Sequence, residues 1–257
     1  MRNLIFTLCL ILVGFTVQAQ TNVFHENFEW NSMPDSVTST GTPGWVGDST
    51  LFSSGARSIT SNVLVGDTMT LTTNTFNTTG NFLVLLVFDH ICKIEFFDFA
   101  IVEVSANGGA SWTQLDSTHY EGASPNFGAG GNRFNESSYV TWQFGQNNPP
   151  QNTWWKKDTF NVSNLIPNTA NAMVRFRLFD GNFANNPNKA GWYIDDINII
   201  AAFSEIDPPK IVQQNPILQN TVYNLGPYTL RANITDASGI ASANLHYTVN
   251  SGPDNIV

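Results

Sequence analysis

The sequence Gly191-Trp192-Tyr193-Ile194-Asp195-Asp196-Ile197-Asn198-Ile199 places two adjacent carboxylates inside an apolar, β-branched run. Such a run is typical of a β-strand, in which successive side chains point to opposite faces of the sheet. One of the two aspartates must therefore face inward. A buried carboxylate is unfavourable unless it is hydrogen-bonded, paired with a positive charge or bound to a cation. The stretch thus predicts a strand with a polar clamp or a metal ligand at its centre.

The rest of the chain carries the same type of pattern. Short β-branched and aromatic runs recur between turns rich in Gly, Asn and Ser, and helical periodicity is almost absent. This organisation predicts an all-β fold, a two-sheet jelly-roll sandwich. The predicted strands are Val23–Trp30, Ser58–Val65, Thr68–Phe76, Phe82–His90, Phe97–Ser105, Trp112–Asp116, Tyr139–Phe144, Trp154–Val162, Ala172–Phe179 and Trp192–Ala201.

Residues 1–19 have the features of a secretory signal peptide. Arg2 supplies a positive start, Leu4–Val17 is apolar, and small residues precede a cleavage point before Gln20. The apolar run is too short, and the flank that follows it too polar, for a membrane span. We therefore predict an exported protein that is secreted or cell-surface and has no transmembrane segment.

The chain has a predicted domain boundary at 204–209, where two prolines follow a polar run and stiffen a linker. The jelly-roll domain then covers 20–203. Beyond the linker, Tyr228–Thr235 and Ile240–Val249 read as two strands of an immunoglobulin-like or fibronectin-like domain. Such a domain needs about 100 residues, so 210–257 is predicted to be incomplete. We expect the chain to be the N-terminal part of a larger multidomain protein.

Composition narrows the range of partners. The chain has 20 acidic against 11 basic residues, and no cluster of basic residues along the sequence is larger than Lys156-Lys157. An acidic chain of this kind argues against nucleic acid and anionic membranes as partners. Cys92 is the only cysteine outside the signal peptide, so no intramolecular disulfide is expected.

Several blocks of sequence together resemble one family. They are Phe24–Glu29, Pro43–Trp45, Ala100–Gln114, Val174–Arg177 and Gly191–Ile199. Their ordered succession resembles the MAM-like, concanavalin-type jelly-roll modules of exported bacterial proteins. The resemblance implies a secreted or surface location, often with attachment to peptidases or to sorting domains of the type IX secretion kind. The segment Asp207–Val257 resembles the Ig-like modules that follow in such proteins.

The resemblance also implies that the first and last strands lie near one another, where a structural cation can join them. Calcium takes about six to eight oxygen ligands. The candidate ligands are Glu26 and Glu29 on the first strand, Asp195 and Asp196 on the last, and Asp180 and Asn182 in the loop before it. No other cofactor is predicted.

A metal-free clamp is the alternative to calcium. In that case one aspartate of the pair faces solvent, and the other accepts hydrogen bonds from backbone N–H groups or from an arginine. Arg175 and Arg177 on the preceding strand are available for this role. The sequence leaves both possibilities open.

The sequence contains no complete catalytic motif of the kinds that we considered. His25-Glu26 does not begin a His-Glu-x-x-His zinc motif, because Glu29 stands where the second histidine belongs. The other histidines are scattered, and neither a Gly-x-Ser-x-Gly elbow nor a phosphate-binding glycine loop is present. We predict no catalytic or cofactor-binding residue and therefore a protein that is not an enzyme.

Aromatic residues suggest a ligand site. The candidates for a platform that stacks on sugar rings are Trp142, Trp154 and Trp155, with Phe127 and Phe134 in a long loop, although aromatics in a jelly roll more often belong to the core. We favour a non-catalytic adhesion or binding module for an extracellular polymer, glycan or protein. The alternatives are a carbohydrate-binding module and an accessory domain of a secreted peptidase whose catalytic part lies beyond Val257.

Overall fold

The computed structural model describes residues 20–62, 67–127, 131–181, 189–202, 210–214, 231–235, 243–244, 246–248 and 254–256. The chain divides into two units, one of which spans Gln20–Phe203 while the other includes Ser204–Val257. The predicted signal peptide and the predicted linker at 204–209 lie outside the described residues. Within the described part, no helix is long and apolar enough to cross a membrane.

The first unit is a sandwich of two antiparallel sheets, as predicted. Its strands are β1 (Gln20–Glu26), β2 (Val37–Thr40), β3 (Val46–Asp48), β4 (Ser58–Ser61), β5 (Thr68–Thr73), β6 (Leu83–Lys93), β7 (Phe99–Ser105), β8 (Thr113–Gln114), β9 (Lys156–Asn161), β10 (Met173–Phe179) and β11 (Gly191–Ala202). The first sheet has the order β3-β4-β11-β6-β9, and β1 also pairs with β11. The second sheet has the order β2-β5-β10-β7-β8. This all-β architecture is consistent with a jelly roll.

The strand that contains the acidic pair lies in the middle of the first sheet. On one side of β11, β4 pairs with its beginning and β1 pairs with its end, so that the two short strands share one edge. On the other side, β11 pairs with β6, and β11 has a bulge between Asp195 and Asn198. Asp196 lies in this bulge with a φ of 48°. A bulge bends a strand and changes where its side chains point, and here it occurs at the acidic pair.

Both sheets contribute one face to a common core. Along β10, Val174, Phe176 and Leu178 are buried and alternate with residues that are only half-buried. Phe88 of β6 packs edge-on against Phe176, with 5.0 Å between the ring centroids, and so joins the two sheets. The alternate residues of β10 form part of the outer face of the second sheet.

Three predicted details are wrong. The segment Tyr139–Phe144 contains a 3-10 turn at Val140–Trp142 in place of a strand. Trp142 is buried there and donates its indole N–H to the Trp154 carbonyl, which holds the chain in this turn. Trp154 itself ends a second 3-10 turn, so that the strand predicted from Trp154 begins only at Lys156. The sequence also failed to indicate β2 and β3, which are short and polar.

The second unit contains two described strand pairs. β12 (Lys210–Gln213) pairs with β13 (Ala232–Thr235), and β14 (His246–Thr248) pairs with β15 (Asp254–Ile256). β13 and β14 lie within the two strands predicted from the sequence. The rest of the predicted Ig-like domain lies outside the described residues, and its assignment stays a prediction.

Candidate functional site

Asp195 is the inward-facing member of the acidic pair. Its carboxylate is fully buried and accepts three backbone N–H groups: Oδ2 those of Ser53 at 2.8 Å and Ser54 at 3.2 Å, and Oδ1 that of Asp196 at 2.8 Å. Burial raises the pKa of Asp195 to about 7 and outweighs the opposite effect of these hydrogen bonds. Asp195 thus fixes the loop around Ser53 against the centre of the first sheet.

A second carboxylate shares this loop. Asp89 on β6 pairs directly with Asp195 across the sheet, and its Oδ2 accepts the Ser53 hydroxyl at 2.6 Å. The other oxygen, Oδ1, is buried without a hydrogen-bond partner among the described residues. The Nζ of Lys157 lies 3.6 Å from it. Ser53 therefore bridges two carboxylates that stand side by side.

Glu26 ends β1, whereas Glu29 lies beyond it, contrary to the predicted strand Val23–Trp30, and both bind donors within the protein. Glu26 is buried and accepts the backbone N–H of Phe28 at 2.6 Å and the hydroxyl of Ser36. Glu29 accepts the backbone N–H groups of Ala56 and Arg57 at 2.9 and 3.0 Å. Both glutamates therefore stabilise loops by accepting hydrogen bonds, as Asp195 does.

Glycine is favoured where the loop passes Glu29. Gly55 has a φ of 61°, which residues with a side chain rarely adopt, and a Cβ at this position would displace the Glu29 carboxylate. Together with Asp195 and Asp89, Glu29 therefore holds the loop before β4 in one conformation.

The predicted calcium ligands do not converge. Among the described residues, no group of three or more His, Cys, Asp or Glu side chains is placed to hold a metal ion. Asp196 is partly exposed, and the nearest ion-pair partner of its Oδ1 is the Nε2 of His25, at 3.9 Å. Asp180 is buried, and its charge acts on the neighbouring Asp98, while Asn182 lies outside the described residues. Calcium stays a prediction.

The alternative prediction, a metal-free clamp, agrees with the geometry of Asp195 in one respect. The partners of Asp195 are backbone N–H groups, as that alternative allowed. Its other version is wrong, because Arg175 and Arg177 belong to the second sheet and bind Glu103.

A second buried network surrounds His90. The Nε1–H of Trp192 donates to His90 Nδ1 at 3.1 Å, and because an indole nitrogen only donates, Nδ1 must accept. The Nε2 proton of His90 is then donated to Asp158 Oδ2, 2.6 Å away. Asp158 Oδ1 accepts the hydroxyls of Tyr120 and Tyr139, each at 2.6 Å.

These hydrogen bonds keep Asp158 charged. Burial alone would raise its pKa, but the bonds from His90 and the two tyrosines together lower it. His90 has no exposed surface and Asp158 only 2%. The network therefore gives the core a polar centre.

The predicted sugar-stacking platform is wrong for four of its five residues, including the buried Trp142. Phe127 and Phe134 are completely buried with 4.8 Å between their ring centroids, and Trp154 is 6% exposed. Phe127 and Phe134 also pack against Phe160, and Trp154 belongs to the same buried core. Only Trp155 keeps a partly exposed ring.

The outer face of the second sheet carries a site that the sequence did not indicate. Three arginines lie there over aromatic rings, and two of them bind one glutamate. We call this surface the arginine face; it consists of Phe99, Glu103, Trp112, Arg133, Arg175, Arg177 and Phe179.

Two of the arginines share the Glu103 carboxylate. Arg175 donates from Nε to Oε2 at 2.7 Å and lies 4.1 Å from the centroid of Trp112. Arg177 donates from Nη1 to the same oxygen at 3.4 Å and lies 5.5 Å from the centroid of Phe179. Glu103 is buried, whereas Arg175 and Arg177 keep 22% and 31% of their side chains exposed.

The third arginine extends this row. Arg133 comes from a distant loop and lies 4.0 Å from the centroid of Phe99. Phe99 stacks in parallel on Phe179, with 4.8 Å between the ring centroids. Cation–π contacts of this kind hold a guanidinium in place without using its outer N–H groups.

Threonines flank the arginines. On β5, Thr72 lies opposite Arg175, and Thr70 lies opposite Arg177. Residues directly opposite in an antiparallel pair point to the same face. On β2, Thr38 and Thr40 continue these two rows, and both are exposed. The face therefore combines guanidinium groups with rows of hydroxyls.

Only part of the arginine face could have been predicted from the sequence. Arg175 and Arg177 alternate along one strand, and the two-residue period of a strand places both on one face. Arg133 and Trp112 join them through tertiary folding, which no local pattern reveals. A search for clustered basic residues along the chain therefore missed them.

No protein-family model matches the chain, and no curated protein matches it. Several solved structures are similar to it. The K2 cleaved adhesin domain of Lys-gingipain is similar over 70% of this chain and 99% of its own, with 17% identity and a TM-score of 0.42. The CBM22 tandem domain of Paenibacillus barcinonensis Xyn10C is similar over 76% of this chain and 50% of its own, with 9% identity and a TM-score of 0.42.

A xylan-binding domain from CBM 22 is also similar, over 72% of this chain and 97% of its own, with 13% identity and a TM-score of 0.38. The resemblance drawn from the sequence is confirmed only as far as a two-sheet β-sandwich. Membership of the MAM-like family stays a prediction.

Proposed function

We propose that this chain is a non-catalytic binding or adhesion module of an exported protein, and that it engages an extracellular polymer through the arginine face. The observation that carries the proposal is the ordered set of partly exposed guanidinium groups on paired strands. Groups that recognise a ligand cost less entropy on binding when they are already held in place. Rings and Glu103 hold these arginines in the free protein.

The buried polar groups support the non-catalytic part of the proposal. The oxygens of Asp195 and both ring nitrogens of His90 are engaged with groups of the same chain. Their role is to fix loops and to order the core. The arginine face differs from them because its hydrogen-bonding groups are partly exposed.

The export part of the proposal rests on the sequence. Residues 1–19 have the composition of a signal peptide, and the abundance of small polar residues is typical of extracellular β proteins. A secreted or cell-surface location follows from this proposal.

Carbohydrate binding is the more specific form of the proposed function, and the threonine rows favour it. Hydroxyl groups next to planar guanidinium groups match the donors and acceptors of a sugar chain. The flat outer face of a sheet also suits an extended polymer better than a small enclosed ligand.

An array of extracellular glycans and matrix proteins tests the proposed function. The full chain and its Arg175→Ala/Arg177→Ala variant are labelled and applied in parallel, with Lys156→Ala/Lys157→Ala as a control that removes the same charge from β9 of the other sheet. We expect binding to at least one polymer, loss of binding in the arginine variant, and retention in the lysine control. Silence of the whole array, or equal binding by all three proteins, would contradict the proposal.

A further inference from the structure

The arginine face has a positive charge in an otherwise acidic protein. The chain carries a formal charge of -9. On the face, the three arginines are partly exposed, whereas the carboxylates of Glu103, Asp98 and Asp180 are buried. The charged groups that this surface presents to a ligand are therefore positive, opposite in sign to the net charge of the chain.

The arginines form a row along β10. Arg175 and Arg177 are separated by one residue, which places their Cα atoms about 7 Å apart along the strand. Arg133 lies over Phe99, which pairs with Phe179, the next outward residue of β10. Arg175 and Arg177 therefore lie along β10, and Arg133 lies beyond them, over the Phe99 ring that stacks on Phe179. A row of this kind suits an extended ligand with repeated negative charges.

Each paired arginine keeps unused donors. Arg175 uses Nε and Arg177 uses Nη1 for Glu103, and within the described part of the chain their other guanidinium nitrogens make no hydrogen bond. A guanidinium presents its N–H groups in a fixed fork that matches the two oxygens of a carboxylate. The unused donors thus fit carboxylate groups of a ligand.

The position of the face in the sheet distinguishes a polysaccharide from an acidic peptide. β10 is paired on both sides, with β5 and with β7, so no strand edge is available for a peptide to extend the sheet. The rows of Thr70 and Thr72 instead offer hydroxyls beside the arginines. Sugar hydroxyls between charged groups would meet these threonines.

We propose that the arginine face binds an anionic polysaccharide whose uronic acid carboxylates pair with Arg175 and Arg177. This inference rests on the proposed function, because it names the polymer class for the same surface. The negative carboxylates of the ligand pair with the positive guanidinium groups, and the threonine rows contact the sugar hydroxyls.

Polygalacturonate is the probe that tests this inference, with its carboxyl-reduced form and polyglutamate as comparisons. Binding of the full chain is measured by calorimetry at low and at high salt. We expect binding to polygalacturonate that weakens with salt, and much weaker binding to the other two polymers. Arg177→Ala should weaken binding about tenfold, as expected for one lost charge-assisted contact.

Two further variants show whether the binding depends on the guanidinium group of Arg177. Lys157→Ala, which removes an exposed charge from the other sheet, should leave the affinity unchanged, and Arg177→Lys should fall between wild type and Arg177→Ala. Equal binding of the carboxyl-reduced polymer overturns the anionic inference and leaves the proposed function standing. Equal or stronger binding of polyglutamate identifies an acidic peptide as the ligand and also overturns it. Failure to bind polygalacturonate overturns the inference, and the array decides the proposed function separately.

Discussion

Asp89 on β6 and Asp195 on β11 are directly paired on neighbouring strands of the first sheet, and Ser53 donates a hydrogen bond to each of them. The backbone N–H of Ser53 donates to Asp195, and its hydroxyl donates to Asp89. Two neighbouring carboxylates repel each other unless donors stand between them. The loop around Ser53 supplies these donors and is fixed in return.

Removal of the Asp195 carboxylate should destabilise the fold. In Asp195→Ala, three backbone N–H groups lose their acceptor, and we expect a loss of about 2–3 kcal/mol in the free energy of unfolding. Urea denaturation at a pH of about 6 measures this loss. The control is Asp196→Asn, which changes a partly exposed side chain in the bulge and keeps a residue type that tolerates positive φ. Equal losses in the two variants would contradict the clamp.

The stability should fall as the pH rises toward neutrality. Burial raises the pKa of Asp195 from its ordinary value of 3.8 to about 7, so the folded state holds its proton over a range where the unfolded state has lost it. The free energy of unfolding must then decrease between a pH of about 4 and about 7. Urea denaturation across this range measures the decrease.

Asp195→Asn isolates this contribution. Asparagine does not titrate, so the variant should gain stability relative to wild type as the pH rises. A smaller slope of the same sign should remain, because burial also raises the pKa of Asp98 to about 6. Parallel pH profiles of the variant and wild type would show that Asp195 does not titrate in this range.

Calcium should have little effect on the clamp. The oxygens of Asp195 already accept three N–H groups, whose positive ends face the space that a cation would need. We expect the same melting temperature in a chelator and in millimolar calcium. A rise of several degrees with calcium would restore the predicted metal site.

The tyrosines that bind Asp158 should act together. Tyr120→Phe and Tyr139→Phe each remove one hydroxyl donor to the same oxygen and should cost about 1–2 kcal/mol. The two hydroxyls also lie 3.1 Å apart, so the cost of the double variant should differ from the sum of the single costs. Denaturation of the four proteins in a double-mutant cycle tests this coupling, and strict additivity would argue against a shared network.

The sequence predicted what depends on local pattern. The apolar run around Asp195 correctly indicated a strand and an inward carboxylate, because alternation and burial are local rules. It did not indicate the bulge at Asp196, which arises where β1 and β4 meet along one edge of β11. The strand predicted at Tyr139–Phe144 was wrong because Trp142 turns inward to bond the Trp154 carbonyl.

The candidate site was harder to predict than the fold. The aromatic residues Phe127 and Phe134 look the same in the sequence whether they face a ligand or the core, and the packing of distant segments decides. The arginine face depends on the approach of Arg133 to Phe99 and of Arg175 to Trp112, which only the folded chain brings together. Sequence spacing alone gave just the alternation of Arg175 and Arg177.

Nuclear magnetic resonance of the arginine side chains tests directly whether the arginine face binds uronic acid carboxylates. The full chain is prepared with nitrogen-labelled arginine and titrated with short oligogalacturonates, and each Nε signal is assigned with an Arg→Lys variant. We predict that the signals of Arg133, Arg175 and Arg177 shift together, while the signal of Arg57, which donates to Asn31 away from this face, stays in place. Shifts at Arg57 with no change at the other three would contradict it.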